Sequence, residues 1–389
     1  MTDTSLAATN EVTSAARTTS QRNQWIATGV IFALMLAAPL LLSDFRLSLL
    51  GKFLAYAILA LGLDLIWGYT GILSLGHGVY FGLGAYCMAM YLKLEAAQSQ
   101  GLKLPDFMTL YGDVKILPFW WAPFKYAWFA IPAAIIVPAL LAALLGYFTF
   151  RNRIKGVFFS ILSQALSIVM VTLFVGQIAY TAGTNGLTDF QTIFGHDINA
   201  DSTRRGFYFA TVIALALTYL FCRYIVGGRF GKVLVAIRDG ENRVRFTGYN
   251  PVAYKVFIYA VSAGLAGLAG VLFVLQVGII APAQMGIIPS IQIVLWVAIG
   301  GRGTLVGAVL GALLVNSAEN AFSESYPATW SYLMGGMFLM SVLYLPDGVI
   351  GWAKAMQAKW QERRQNHDAR NRAAISGIGS VEAGQSSVG

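Results

Sequence analysis

The sequence predicts an all-α protein, a polytopic membrane bundle of about ten transmembrane helices. The 389-residue chain is 57% hydrophobic and only 12% charged, which leaves too little polar surface for a soluble protein of this size. Several apolar runs also approach or exceed the roughly 18 to 20 residues that cross a hydrocarbon layer of about 30 Å. Because backbone polar groups in such a layer must bond within their own segment, these runs are predicted to be helices.

The predicted helices divide the chain into one transmembrane domain, at residues 25–350, and two tails. Residues 1–24 are polar and are predicted to be a disordered tail, and residues 351–389 are first basic and then Ala/Gly/Ser-rich and disordered. The eighth helix is short, and the GGRG sequence at 300–303 predicts a break inside a longer re-entrant element. The ten predicted ranges are 25–42, 49–69, 71–94, 127–150, 156–180, 207–227, 255–277, 287–300, 304–322 and 329–346.

The distribution of Lys and Arg predicts the orientation in the membrane. Most of the 27 basic residues fall in the segments 1–24, 151–155, 223–255 and the region after the last helix. Since cytoplasmic loops are enriched in Lys and Arg, both termini and the loop 228–254 are predicted to be cytoplasmic. The net charge of +9 follows from this asymmetry and does not indicate a nucleic-acid partner. The basic residues after the last helix suit anionic lipid headgroups.

The opposite side of the membrane carries two long connections, at residues 95–126 and 181–206. The first contains Trp120, Trp121 and Trp128. Tryptophan prefers the membrane interface, so part of this connection is predicted to lie against the membrane or to pack on the top of the bundle.

Sequence patterns typical of enzymes and metal sites are missing. The chain has no complete phosphate-binding loop, no HExxH motif and no Cys/His cluster. Cys87 and Cys222 lie in apolar runs and are predicted to be small buried hydrophobic residues. Ser74 and His77 could share a helix face, but no acidic residue completes a hydrolytic triad. We therefore expect no catalytic residue, metal or cofactor on this chain, and an intramembrane enzyme based on Ser74 and His77 is an alternative.

Small residues at four-residue spacing are predicted to let the helices pack closely, because the hydrophobic effect contributes little between helices in lipid. Gly-dense segments at 68–85 and 300–311 occupy comparable places in the two halves of the bundle. This placement suggests a pseudo-repeat with broken helices near a permeation path. The predicted packing glycines are Gly78, Gly82, Gly303, Gly307 and Gly311.

Polar groups at membrane depth are costly, so each one needs a partner or a purpose. We expect Asp64 to pair with His77 across the turn at 68–71. Two roles stay open for such residues: hydrogen bonding between helices, or the wall of a polar translocation path. In a self-sufficient transporter, Asp64 or Glu319 would couple transport to an ion. The candidate path residues are Asp64, Ser74, His77, Gln164, Asn316 and Asn320.

Residues 228–250 form a long polar stretch, rich in basic charge, between two apolar runs. Asp239 is predicted to cap a short helix over about 239–247, and Gly248 to end it in the left-handed conformation. Asn250 and Pro251 then begin the next helix. The exposed charges of the short helix predict a docking surface for a cytoplasmic partner. The candidate coupling residues are Arg238, Asp239, Glu241, Arg243 and Gly248.

Several segments together resemble the permeases of the branched-chain amino acid ABC importer family, over about residues 45–350. They are WGYTGILSLGHGVYFGLGAY (67–86), TNGLT (184–188), AIRDGENRVRFTGYNPVAYK followed by FIYAVSAGLAGLAGVLF, and GGRGTLVGAVLGA (300–312). Within that family, the extended 95–126 connection, with LPDFMTLYGD and LPFWWAPF, is similar to the urea-uptake branch.

The resemblance implies a machine in the bacterial inner membrane, in which two related permease chains sit on two cytoplasmic ATPases. A periplasmic binding protein would deliver the solute, ATP and Mg would bind the ATPases, and residues 238–248 would transmit their motion. This chain has Asp239-Gly240-Glu241 where older importers have Glu-Ala-Ala, so side-chain contacts do not carry over. The expected solute is urea. A branched-chain amino acid is the alternative, and an autonomous secondary transporter or channel is the alternative of another class.

Overall fold

The computed structural model describes residues 31–154, 156–344 and 348–352, together with Gly29 and Met356. The predicted N-terminal tail and nearly all of the predicted C-terminal tail lie outside the described residues. The helices are α1 (Ile31–Leu41), α2 (Asp44–Thr70), α3 (His77–Ser99), α4 (Asp106–Gly112), α5 (Ala127–Arg151), α6 (Val157–Gly176), α7 (Ile178–Thr181), α8 (Asp201–Gly227), α9 (Arg229–Phe246), α10 (Pro251–Val277), α11 (Ile287–Gly300), α12 (Leu305–Ser325) and α13 (Pro327–Tyr344). Short 3-10 turns lie at Ala122–Lys125, Gly183–Asn185 and Pro282–Met285.

A helix occupies each of the ten predicted ranges, and the predicted all-α membrane bundle is confirmed. Among the described helices, α2, α5, α6, α8, α10 and α12 are long and apolar enough to cross a membrane, and α1 and α11 are shorter apolar helices. The other two helices that fall in the ten predicted ranges are α3 and α13. The one small sheet in the described chain pairs β1 (Thr192–Ile193) with β2 (His196–Asp197) in antiparallel register.

Helices α2 and α10 form the centre of the bundle. In their most apolar stretches, 78% and 72% of the residues are buried, against 22% in α6 and 33% in α5. Helix α10 packs against α5, α3 and α2. Because all these helices are similarly apolar, burial rather than hydropathy separates the central pair from the helices whose side chains can face lipid.

The loops between the helices lie at the two ends of the bundle. At one end, which we call the basic face, Arg238 Nη1 donates to the Gly68 carbonyl at 2.8 Å and the Arg302 guanidinium lies 5.5 Å from the Trp67 ring centre. At the other end, the opposite face, Lys93 pairs with Asp106 at 3.2 Å.

The long connection at 95–126 both packs on the bundle and stays exposed. Trp121 and Phe107 are buried with their ring centres 5.9 Å apart, whereas Phe119 is 82% exposed. Part of this connection therefore packs on the bundle, which is one of the two arrangements expected for it.

Two helices begin inside the bundle rather than at its ends. Helix α2 ends at the basic face, and the chain then runs back inward without helical structure before α3 begins at His77. His77 Nε2 lies 2.7 Å from Ser262 Oγ, which donates to the Gly62 carbonyl at 2.5 Å. Gly62 is eight residues before the end of α2 at Thr70, a distance of about 12 Å along a helix. Helix α3 therefore begins well below the basic face.

Helix α10 shows the same arrangement in the opposite direction. It ends at the opposite face, where Gly278 has φ 74°, and the chain turns inward before α11 begins at Ile287. Gly71 ends α2 with the same φ of 74°, and both α2 and α10 are 27 residues long. The first turns of α3 and α11 meet inside the bundle, where Gly78 N donates to Ser290 Oγ at 3.2 Å.

These two breaks correct the predicted repeat. The segment that corresponds to 71–76 is 278–286, not the Gly-dense segment at 300–311. The sequence at 300–303 is also not a break within a re-entrant helix, because residues 301–304 make the turn between α11 and α12 at the basic face. Asp64 holds this turn in place by accepting a hydrogen bond from Gly303 N at 2.7 Å. The density of glycines indicated where helices are interrupted. It did not distinguish a turn between two helices from a break within a re-entrant helix.

Glycines allow the central helices to touch through their backbones. A Cβ atom added at Gly84 of α3 would meet the backbone of Gly267 on α10. A Cβ atom added at Gly267 would in turn meet the carbonyl oxygen of Ala134 on α5. Neither backbone can yield as a flexible side chain would, so these crossings require glycine.

We expect Gly84→Ala to destabilise the bundle by about 1–3 kcal/mol or more, because overpacking here must push two backbones apart. The measurement is the temperature at which the detergent-solubilised protein aggregates, followed by size-exclusion chromatography after heating. Gly206→Ala is the matched control, because nothing lies within 4 Å of a Cβ atom added at Gly206 of α8. Equal stability of the two variants would contradict the proposed α3–α10 crossing.

Candidate functional site

Asp64 and His77 do not pair with each other, so that prediction is wrong. Both side chains are fully buried. Asp64 accepts from Gly303 N, while His77 bonds to Ser262 on α10. The reason is that residues 71–76 run back into the bundle, so His77 lies away from the end of α2. Both residues join helices to each other, the role of interhelical bonding left open by the sequence.

The other candidate path residues separate into two groups. Ser74 is buried and its hydroxyl accepts from Gly76 N at 3.4 Å, and Gln164 is half-buried on α6. Asn316 and Asn320 instead line a cavity between α2, α11 and α12. Among the described residues, no group of three or more His, Cys, Asp or Glu side chains could hold a metal ion.

Two adjoining cavities lie along one side of α2. The first, of about 210 Å³, lies beside the start of α11 and includes Gln284, Gln292 and Trp296 in its wall. The second, of about 170 Å³, lies closer to the opposite face. They share Tyr56, Gln292 and Trp296 in their walls, and we call the two cavities together the groove. The remaining polar residues of the second cavity are Lys52, Asn316, Glu319, Asn320 and Ser323.

Sequence reasoning missed Tyr56, Gln284, Gln292 and Trp296. A signal was available, because Gln284, Ser290 and Gln292 are the polar side chains of an otherwise apolar stretch bracketed by Gly278 and Gly300. From its hydropathy the stretch resembles one short transmembrane helix. The turn of the chain back into the bundle before Ile287 could not be deduced from hydropathy.

The basic insert folds as two helical segments rather than one short helix. Helix α9 begins at Arg229, and Gly240 interrupts it with φ −172° and ψ 74°. The first segment was missed because the sequence predicts a basic loop there, yet Leu234 and Ile237 are buried at helical spacing. Asp239 precedes the break, and its carboxylate accepts from Arg238 Nε at 2.9 Å. The predicted end at Gly248 and restart at Asn250 both occur, with φ 87° at Gly248 and Asn250 Oδ1 accepting from Val252 N at 3.1 Å.

Two of the predicted coupling residues bond to the bundle, although the Arg238 side chain stays 34% exposed. Arg238 reaches the Gly68 carbonyl at the end of α2. The Glu241 side chain is only 11% exposed and accepts from Lys255 Nζ at 2.7 Å and from Arg245 Nη2 at 3.1 Å. The Lys255 side chain is also only 8% exposed. Arg238, at the end of the first segment, thus bonds to α2, and Glu241, at the start of the second segment, bonds to α10. A cavity of about 260 Å³ lies beside them.

The outward surface of α9 is formed by other residues. Arg243 is exposed, the Phe246 ring is 92% exposed, and Tyr249 is 48% exposed just after the helix. An aromatic ring that stands almost free in water beside a basic side chain is typical of a contact with another protein.

The predicted packing glycines lie at helix contacts. A Cβ atom at Gly78 would meet Ser290, and one at Gly82 would meet the Met285 side chain. Gly303 lies against Gly68 at the basic face and has φ 75°. Gly307 and Gly311 lie where α12 crosses α11, against Gly300 and the carbonyl of Trp296.

Comparison with known proteins identifies the family. Residues 45–343 match the family described as branched-chain amino acid transport system / permease component. The chain belongs to this family. It is 25% identical to the high-affinity branched-chain amino acid transport system permease protein LivM of Salmonella typhimurium, covering 82% of this chain and 73% of that protein.

Two other relatives cover similar shares of the chain. The permease protein BraD of Pseudomonas aeruginosa is 22% identical over 76% of this chain and 91% of its own length. The probable permease LivM of Methanocaldococcus jannaschii is 26% identical over 76% and 90%. No solved structure matches the chain. The family membership makes this chain a multi-pass membrane permease rather than an enzyme.

We expect Glu241→Gln to loosen the second segment of α9, because it leaves the Lys255 and Arg245 cations without their shared carboxylate. Removing one partner of a buried ion pair costs about 3–5 kcal/mol, and the partial exposure of Arg245 reduces this figure. The measurement is amide hydrogen exchange of residues 241–250. Asn242→Ala, at the exposed neighbouring position, is the control. Unchanged exchange in Glu241→Gln would show that the ion pairs do not hold this segment.

Proposed function

We propose that this chain is the permease subunit of an ATP-driven importer and forms half of its translocation path. The observation that carries the proposal is the meeting of the α3 and α11 starts inside the bundle, beside a polar cavity. Non-helical backbone at membrane depth is tolerated where it is covered by protein or lines a cavity, and broken helices of this kind surround substrate sites in transporters.

Energy is supplied by separate ATPase subunits that bind the basic face. The surface around Arg243, Phe246 and Tyr249 is the contact, and the bonds of Arg238 and Glu241 pass its movement to α2 and α10. In this arrangement the basic face is cytoplasmic, in agreement with the positive-inside preference. A second, related permease chain completes the path, and a binding protein docks at the opposite face.

The solute that we propose is urea. The support is the similarity of the 95–126 connection to the urea-uptake branch, together with a first cavity whose wall has amide, hydroxyl and indole groups but no charged side chain. A branched-chain amino acid is the second candidate. It is favoured by the relatives, which are branched-chain amino acid permeases. It is also favoured by Lys52 and Glu319 in the second cavity, which could bind a carboxylate and an ammonium group.

Uptake of labelled urea and labelled leucine in cells that lack only this subunit tests the assignment. We expect urea uptake to be lost and leucine uptake to remain. Loss of leucine uptake alone would establish the second candidate instead. The purified chain, reconstituted alone in vesicles, should move neither solute, and vigorous transport by it would identify a secondary transporter or channel.

We expect Phe246→Ala to release the ATPase subunits while the permease still inserts, because a central exposed aromatic anchor commonly contributes 2 kcal/mol or more to an interface. Co-purification of the ATPases with the tagged permease is the measurement. Tyr224→Ala is the control, since Tyr224 is 82% exposed on α8 but lies outside α9. Full ATPase retention by Phe246→Ala would exclude this contact surface.

A further inference from the structure

The first cavity has the composition of a recognition site for an uncharged polar solute. It lies where α3 and α11 begin, and its polar wall consists of Tyr56, Gln284, Gln292 and Trp296. Apolar contacts come from Phe81 and Ile293, among others. The volume of about 210 Å³ is several times the roughly 30 Å³ that one water molecule occupies in the liquid. The space is therefore large enough for a small organic molecule.

A hydrogen-bond donor in this wall lacks a protein partner. Trp296 is only 4% exposed, and within the described chain its indole Nε1 has no acceptor. A buried donor without an acceptor is unfavourable, so such a group requires an explanation beyond packing. The Trp296 ring is held in position by Tyr56, at 4.8 Å between ring centres. Trp296 is thus fixed in the wall shared by the two cavities.

An acceptor is also left over on Gln292. Its Nε2 lies 3.5 Å from Met334 Sδ, so the carbonyl end of the amide is directed away from α13. Gln284 differs, because its Oε1 already accepts from Ala281 N at 3.0 Å and leaves only its N–H groups for a ligand. The N-terminal end of α11 adds the positive end of a helix dipole, which favours a carbonyl oxygen.

We propose that this cavity recognises a small neutral amide by its carbonyl and N–H groups during transport, an inference that rests on the proposed function. The indole N–H of Trp296 donates to the carbonyl oxygen of the solute. Gln292 Oε1 accepts from a solute N–H group, and the apolar wall excludes water from both contacts.

The same cavity discriminates against a zwitterion. None of its wall residues is charged, and burying an unpaired carboxylate or ammonium group is strongly unfavourable. Lys52 and Glu319 line only the second cavity, closer to the opposite face. An amino acid could be bound there, but it would lose both charge partners on moving to the first cavity. Selection between the two solute classes therefore occurs at the step between the cavities.

The test uses the complete transporter, reconstituted with its ATPases and binding protein, and measures urea moved per ATP hydrolysed. We expect Gln292→Leu to lower this ratio about fivefold and Trp296→Phe about threefold, the effect of losing one hydrogen bond to an uncharged group. ATP hydrolysis stimulated by the binding protein should persist, which a general folding defect would not allow. Gln98→Leu and Trp128→Phe are the controls, because both residues are exposed and neither lines the two cavities.

Unchanged urea transport per ATP in both Gln292→Leu and Trp296→Phe would overturn the site while leaving the proposed function intact. The same follows if Gln98→Leu lowers the ratio as much as Gln292→Leu does. If Gln292→Leu does not assemble, Trp296→Phe decides alone. A wild-type complex that moves leucine and not urea would overturn both the urea assignment and this site. Inhibition of urea transport by acetamide, with no inhibition by leucine, would support the site. Inhibition by leucine and not by acetamide would oppose it.

Discussion

Every unpaired backbone group inside the bundle must find a partner within the protein, and the two helix breaks depend on this constraint. At the first break, Ser163 Oγ accepts from Leu75 N at 2.9 Å and Ser160 Oγ donates to the Leu73 carbonyl at 2.8 Å. At the second break, Leu187 and Ile280 exchange backbone hydrogen bonds in both directions. These partners replace water, which a hydrocarbon layer cannot supply. Without them, neither α3 nor α11 could begin inside the bundle.

The partners of the breaks come from segments that the sequence presents as ordinary. The serines of α6 lie in an apolar helix, and Leu187 lies in a connection at the opposite face. The packing of α6 and of this connection against the breaks fixes the position of the α3 and α11 starts. That position in turn places Tyr56, Gln292 and Trp296 around one cavity. Specificity inside the membrane thus depends on structures that lie outside the cavity itself.

A helix in each of the ten predicted ranges could be predicted from apolar runs, and the end of α9 from Gly248, Asn250 and Pro251. These features are local, since a run length or a cap depends only on neighbouring residues. The partners of Asp64 and His77 could not be predicted, because they depend on the direction in which residues 71–76 leave α2. The bonds that Arg238 and Glu241 make to the bundle likewise depend on Gly68 and Lys255, which lie in other helices. Charge alone did not distinguish an exposed side chain from one bonded to the bundle.

The shortness of α11 has a consequence for biogenesis. Fourteen residues extend about 21 Å as a helix, well below the roughly 30 Å of a hydrocarbon layer. The insertion machinery cannot place such a segment across the bilayer as an independent unit during synthesis. Segment 278–300 must instead slide between neighbours that are already in the lipid, and α12 is made only after it. The groove beside Trp296 is therefore completed late, after translation of the second half of the chain.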